Sequence, residues 1–400
     1  MLLLFHFCFI LSIKLAEVMI MRSVIKCLLL VFCVTGFFTF ISADKNDKIN
    51  AKAYVLMEAE TRTVLESENA DIRLNAGYMN KLMSLIIIAN HIENGVISLN
   101  DEFIASDSVR GIKGSVVWLE SGDKMTVDEL LKSVIVGNAN DALTVLAEAV
   151  SSNINTFVMD MNAEAFEMGL RDTYYTNPYG YYDEREYTTA HDIGVVCAKL
   201  AEFDFLTPYF KTWRDFVKDE KVELVNENTL SRTYEPHIGF KVCHSEEYGY
   251  CLAEGGRNSE NNTFIAVIIG ANSEDDLFRY GKKLVKKGFS GYKVVLSEFP
   301  DEMLMPLKVK NGTVSAVEMC IKEQGKMTVP KDKRNIRTKV VVPEYITAPV
   351  REGQSVGCAA FYNEDTLVFE TDIITKSSVK SLTWYYILKQ SLFNMIEKTC

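Results

Sequence analysis

From Ala51 the chain runs AKAYVLMEAETRTVLESENADIRL, two short stretches of alternating apolar and polar positions around a polar turn. A period of two sends successive side chains to opposite faces, so this segment predicts the opening hairpin of a sheet. The period then lengthens to that of helices. Lys81 to Asn94 is apolar almost throughout and predicts a buried helix, and Thr126 to Val136, Asn140 to Val150 and Phe157 to Met168 predict three more. A fifth, Thr188 to Ala201, is opened by Thr189 with Asp192 three residues on, the spacing of a capping box. Alternation returns at Ile238 to His244, Tyr248 to Glu254 and Thr263 to Gly270, and Asp275 to Gly288 is again helical. Helices enclosed by strands from both ends of one segment predict an α+β domain over 48–299, with its terminal strands meeting in one antiparallel sheet. Past Phe299-Pro300 the texture changes to short β-rich runs: MPLKVKNG, AVEMCIK, KMTVPK, RTKVVVP and QSVGCAAFYNEDTLVFETDII. These predict a second, all-β domain over 303–376, most simply a small sandwich.

The two ends carry different patterns. Residues 1–43 form an apolar leader, within which Met21 to Ala43 reads as a signal peptide: Arg22 and Lys26 are its basic start, Cys27 to Ile41 its apolar run, and Ser42-Ala43 its small-residue cleavage site. Export is the consequence, with Asp44 as the expected first mature residue and Met21 as the expected start of translation. An uncleaved anchor is the alternative. At the other end, over 380–398, Leu382, Tyr385, Leu388, Leu392 and Ile396 fall on one helical stripe with Trp384 and Tyr386 beside it. Such a helix lies in the plane of a membrane surface rather than across it; docking on its own domain is the competing expectation.

Composition narrows the function. With 48% hydrophobic and 24% charged residues the chain is ordinary globular protein. Its formal charge of −11 becomes more negative when Lys14, Arg22, Lys26 and Glu17 leave with the leader, which argues against nucleic acid as a partner. Of nine cysteines, Cys8, Cys27 and Cys33 belong to the leader, and the rest form neither a CxxC pair nor a Cys/His ligand spacing. His237, Cys243, His244 and Cys251 are close in sequence without ligand spacing, so neither a metal nor a cofactor is expected. A turn at Ser245 to Tyr248 places Cys243 and Cys251 directly opposite each other on adjacent strands. In an oxidising exterior a cross-strand disulfide is one outcome and a pair of thiols the other.

Longer stretches carry a resemblance. VLMEAETRTVLESENADIRL, GSVVWLESGDKMTVDELLKSVIVGNANDALTVLAE, MNAEAFEMGLRDTYYTNPYG, YTTAHDIG and EEYGYCLAEGGRN are similar, in order and spacing, to the D-alanyl-D-alanine carboxypeptidases, penicillin-binding serine peptidases related to serine β-lactamases. The β-rich segment with TVPKDKRNIRTKVVVPEYITAPVREGQSVG resembles that family's C-terminal domain, and the final helix its membrane anchor. The resemblance implies a transpeptidase-like α+β fold and a site built from three motifs, SxxK, SxN and KTG, at one cleft.

In the first motif a serine attacks the peptide carbonyl while a lysine one turn later, held neutral by burial, takes its proton. Here Tyr78 stands in the serine place and Lys81 in the lysine place. A phenol oxygen lies several ångströms further from the backbone than a serine oxygen, so attack geometry and oxyanion hole no longer coincide; Tyr78 is expected to fill the cleft instead. In the second motif Asn138 replaces the proton-relaying serine, while Asn140, which would hold the substrate's peptide, is kept and also suits a helix start. In the third, Lys241 is kept, but Val242 replaces the threonine that binds the substrate carboxylate and Cys243 replaces the glycine that lets a strand-like substrate approach. Cys243 is expected to project into the substrate's space. Ser121 to Lys124 and Ser377 to Lys380 repeat the SxxK spacing by chance, and Ser84 reads as core-lining.

The resulting expectation is a member of a peptidoglycan-processing family that has lost catalysis and keeps a wall-associated binding or regulatory role on the outer face of the cytoplasmic membrane. Its partners would be peptidoglycan stem peptides or a cell-wall enzyme, with the membrane surface engaged through the terminal helix. The alternative is residual or altered carboxypeptidase activity resting on Lys81, Asn140 and Lys241; a third reading makes the small β domain the binding module.

Overall fold

The computed structural model describes residues 48–388 apart from 76, 246–247, 298 and 333–335. The leader and most of the terminal segment 380–398 therefore lie outside the described residues. The described strands and helices all belong to the compact unit that begins at Ala51.

Its central sheet has five strands, β1 (Ala53–Glu58), β2 (Val64–Glu68), β3 (His237–Ser245), β4 (Gly249–Arg257) and β5 (Thr263–Ala271). They lie in the order β2-β1-β5-β4-β3, each neighbouring pair antiparallel. Strands from both ends of the domain thus share one sheet, as the alternating segments predict. The alternation sorts side chains between two helical layers. Ile265, Val267 and Ile269 of β5 join Val55 and Met57 in the main core, while Phe264 and Leu252 meet the opposite helix, α6 (Glu274–Gly291), at Gly288 and Gly281. A Cβ on either glycine would come within 2.5 Å of those side chains, so the helix sits against the sheet at a spacing only glycine permits there.

The main core is closed by α1 (Asn80–Glu93), α2 (Val127–Ile135), α3 (Asn140–Ser151), α4 (Ile154–Glu167) and α5 (Ala190–Leu200). The first ten residues of α1 are all buried, which is why its sequence shows no polar face. Its head has no capping side chain and is entered through a 3-10 turn, Gly77–Met79. Thr126 and Glu129 form a complete capping box on α2. On α5 only half of the box forms: Thr189 accepts from the Asp192 amide, but the Asp192 carboxylate takes the Thr173 hydroxyl at 2.7 Å. Helix α4 begins earlier than its apolar stripe suggests because Asn153 caps it, accepting from the Thr156 amide.

Strand Tyr292–Leu296, which the sequence pattern placed in the first domain, pairs antiparallel with Lys326–Pro330, so it belongs structurally to the second. Around a core that includes Leu307, Val309, Met327, Val329, Phe361 and Ile373 lie a three-stranded sheet (Ala316–Val317, Leu307–Lys310, Tyr345–Thr347) and a four-stranded one (Met319–Ile321, Thr366–Thr375, Ser355–Asn363, Ile336–Val341). The all-β expectation holds, but the strands form three sheets where two were expected, with one parallel pairing between Leu307–Lys310 and Tyr345–Thr347. Thr61 and Thr328 hydroxyls lie 2.6 Å apart and Lys326 pairs with Glu60 at 2.7 Å, fastening the β1–β2 turn to this domain. At the far end 384–388 is helical with Trp384, Tyr385, Ile387 and Leu388 exposed. Among the described residues no helix is long and apolar enough to cross a membrane.

Candidate active site

The three motif positions converge on one cleft of about 630 Å³, walled by Tyr78, Lys81, Gly114, Ser115, Asn138, Glu227, Val242, Cys243, His244, Tyr250 and Glu274. Each element brings its residue for a local reason. Tyr78 sits in the turn that heads α1, and Lys81 comes one helical turn later, so both face the same side. Asn138 occupies a left-handed conformation (φ 56°) between α2 and α3, a geometry that asparagine tolerates better than most residues. Lys241 lies on β3, the edge strand of the sheet.

Lys81 is fully buried, and its Nζ donates to both the backbone O and the Oδ1 of Asn138, each at 2.5 Å. Lys241 Nζ donates to the same Oδ1 at 2.7 Å, and the amide Nδ2 of Asn138 donates to Glu227 Oε2 at 3.4 Å. One asparagine therefore gathers two buried lysines and an acid. Burial, followed by the nearby Lys241 charge, pulls the Lys81 amine well below the usual lysine range. Burial also lowers Lys241, against the opposing pull of Glu227 and Cys243. A lysine so placed is equipped to accept a proton.

Tyr78 does not fill the cleft as the sequence suggested. Its ring packs back against the core and lies over Lys81, with Nζ 5.6 Å from the ring centroid, so the phenol forms wall rather than plug. The reason lies next door. Gly77 adopts φ 52° with the Tyr248 ring where a Cβ would stand, and a Cβ on Gly180 would strike the Gly77 and Tyr78 backbone. The turn is held tightly from two sides.

Asn140 lies directly behind the cleft rim; its Nδ2 donates to the Lys113 carbonyl at 2.6 Å and to Tyr181 Oη at 3.3 Å, its own amide donates to the Ser115 carbonyl at 2.7 Å, and its Oδ1 is buried without a partner among the described residues. Gly114, at φ 83°, allows this approach, since a Cβ there would meet Asn140 Nδ2 at 2.7 Å. Val242 and Cys243 do lie in the wall. Cys243 is mostly buried and its thiol engages Cys251, its direct partner across β3 and β4, so it forms part of the cleft lining without filling the open space. The register is the one the turn position predicts, and both residues carry thiols.

Ser84 is buried, donating to the Pro178 carbonyl at 3.2 Å, in keeping with its core-lining assignment. His237 faces Glu254 at 2.8 Å behind β3, away from the cleft lining. Sequence reasoning missed Glu227, which sits in an irregular Asn-Glu-Asn stretch with no periodicity to flag it. It also missed Ser115, exposed on the cleft rim and legible only as part of the GSVV run, and Tyr250.

A buried lysine one turn into a central helix, a loop asparagine opposite it and a lysine on the sheet edge, all at one cleft, define a penicillin-binding fold. A family model described as D-alanyl-D-alanine carboxypeptidase matches residues 40–273, and one described as penicillin-binding protein 5, C-terminal domain, matches residues 299–381. The chain is 28% identical over 347 residues to the D-alanyl-D-alanine carboxypeptidase DacF of Bacillus subtilis, covering 86% of this chain and 89% of that one. It is 26% identical over 343 residues to DacC of Escherichia coli, covering 83% and 85%. Among solved structures, penicillin binding protein 5 from Haemophilus influenzae superposes with a TM-score of 0.77 at 23% identity, covering 84% of this chain and 99% of that one. The chain belongs to the D-alanyl-D-alanine carboxypeptidase family of peptidoglycan metabolism.

Proposed function

We propose that this family member is catalytically silent and acts outside the cytoplasmic membrane as a peptidoglycan- or partner-binding protein. The observation that carries the reading is the environment of Lys81. The amine has the burial of a general base, but its two short hydrogen bonds go to Asn138, and the position a serine nucleophile would hold presents the face of the Tyr78 ring. The strand side supports the same conclusion: Val242 offers no hydroxyl to a substrate carboxylate, and Cys243 closes on Cys251. The cleft nevertheless keeps room for a ligand, with Lys81 and Glu227 on its wall and Lys241 beside them on Asn138. This favours retained binding of stem peptides or of a cell-wall enzyme over a purely structural role. The leader supports export, and the exposed Trp384, Tyr385 and Leu388 support engagement of a membrane surface.

A second reading, residual hydrolysis, draws on the depressed Lys81 amine and the open cleft. Covalent labelling of the purified chain with a fluorescent penicillin, alongside release of D-alanine from a pentapeptide stem, separates the two. The expected result is no adduct and turnover at least roughly 10³-fold below a motif-complete relative. Tyr78→Ser alone is expected to remain unlabelled for want of a carboxylate receptor, whereas adding Val242→Thr and Cys243→Gly should bring labelling back. An adduct on the unaltered chain would overturn the proposal.

A further inference from the structure

The cleft wall contains a pair of groups that serine-peptidase chemistry does not use. Cys243 on β3 and Cys251 on β4 are direct cross-strand partners in a continuous stretch of ladder, with Val242 opposite Leu252 on one side and His244 opposite Tyr250 on the other. In an antiparallel pair, directly opposed residues have Cα atoms about 4.5 or 5.5 Å apart depending on their hydrogen-bonding class. Both values fall within the roughly 4.4–6.8 Å span a disulfide bridges without backbone movement. The sulfurs already interact: the Cys243 thiol is held up and the Cys251 thiol held down, each mainly by its hydrogen bond to the other.

Access differs between the two. Cys243 lines the cleft, while Cys251 is fully buried and lies outside the lining. We propose that Cys243 and Cys251 form an oxidisable dithiol, entered from the cleft at Cys243 by a small external disulfide and closed by Cys251 into a reversible cross-strand disulfide. The reaction balances. Cys243 attacks one sulfur of the external disulfide, forming a mixed disulfide and expelling one thiolate, which takes the Cys243 proton. Cys251 then attacks the Cys243 sulfur, and the second thiolate leaves with the Cys251 proton. The protein loses two electrons and two protons; the external disulfide becomes two thiols.

The bond has a structural reach beyond the two sulfurs. The β3–β4 hairpin carries Tyr248, whose buried ring occupies the space beside Gly77 at the head of α1. Fixing the hairpin at Cys243 and Cys251 thus fixes a ring packed beside the Gly77 turn that leads into Tyr78. This inference is independent of whether the site hydrolyses anything.

The test exploits the sequence: Val242 to Arg257 comes directly after Lys241 and contains no internal lysine or arginine, so one tryptic peptide holds both cysteines. The full chain is incubated with oxidised glutathione, quenched in acid, alkylated, digested and weighed. The expected peptide is lighter than the dithiol by two hydrogens, carries no alkyl group, and returns to the doubly alkylated form after dithiothreitol. In Cys251→Ser the same peptide should stop at one glutathione on Cys243. A peptide from the unaltered chain that emerges doubly alkylated, or with a glutathione on each cysteine, would overturn the proposal.

Discussion

The two sides of the cleft have diverged differently from the family pattern they resemble. On the helical side Lys81, Asn140 and the neighbouring Asp141 are retained, and each fastens backbone. Lys81 holds the Asn138 carbonyl, Asn140 holds that of Lys113, and the buried Asp141 carboxylate accepts from the amides of Val117 at 3.1 Å and Leu119 at 2.9 Å. On the strand side the resemblance leaves only Lys241 in place, with Val242 and Cys243 at the positions it implies for substrate contact. On the reading proposed above, residues that also hold backbone are retained and positions that would serve only chemistry are replaced, with Lys81 the retained residue whose structural share a stability measurement decides. Tyr78 obeys the same rule, since a serine hydroxyl there would serve the reaction and a tyrosine ring serves the wall.

If that contrast is sound, the largest effect should come from a residue with no part in the reaction. Asp141→Ala leaves two buried amides of the 117–119 loop without an acceptor, and is expected to cost about 3–4 kcal/mol, read as a fall in the urea midpoint. A loss under about 1 kcal/mol would break the comparison. Glu186 comes next. It sits behind the nucleophile turn, where Asn80 Nδ2 donates to its Oε2 at 2.8 Å and its Oε1 is buried without a partner among the described residues. Burial pushes its carboxyl up to about 7 from 4.5. A carboxyl raised on folding binds more protons in the native than in the unfolded state between those values, so its contribution to stability is lost as pH climbs from 4.5 to about 7. Glu186→Gln is expected to flatten that slope and to gain on the order of 2 kcal/mol at neutral pH. Thermal unfolding at pH 5 and pH 7.5 checks both.

Most of this scaffold was legible because it obeys periodicities: five sheet strands and six long helices fall where alternation or helical spacing puts them. The start of α4 was not, because Asn153 caps it from within a polar run. The site was legible by residue identity but not by orientation. Nothing in the sequence indicates that Asn138 would collect both lysines, because that depends on a left-handed backbone and on β3 passing within reach of α1. Glu227 was invisible for a related reason: it comes from irregular chain, where only the fold decides what it meets. Cys243 and Cys251 were the converse case, since strand pairing is simple enough to read across a short turn.

The smallest effect asks on which side of the contrast Lys81 belongs. As a general base it would be indispensable to catalysis and a burden to stability; as backbone support it would resemble Asp141. Its amine is lowered well below the usual 10.5 by burial and then by Lys241, so the unfolded chain binds its proton more readily than the native one. Stability should therefore rise with pH from the depressed native value up to the ordinary lysine range, and protonation on the acid side should weaken the fold. Lys81→Met keeps much of the volume and removes the desolvated amine, while Lys241 still satisfies the Asn138 Oδ1. The balance of relieved burial against one lost carbonyl partner is expected to be a gain of about 1 kcal/mol at pH 7, with the pH slope abolished. Urea titrations across pH 6 to 10 measure both quantities. A loss greater than about 2 kcal/mol would move Lys81 to the structural side with Asp141, whereas the expected gain would mark it as a remnant of the reaction still lodged in the core.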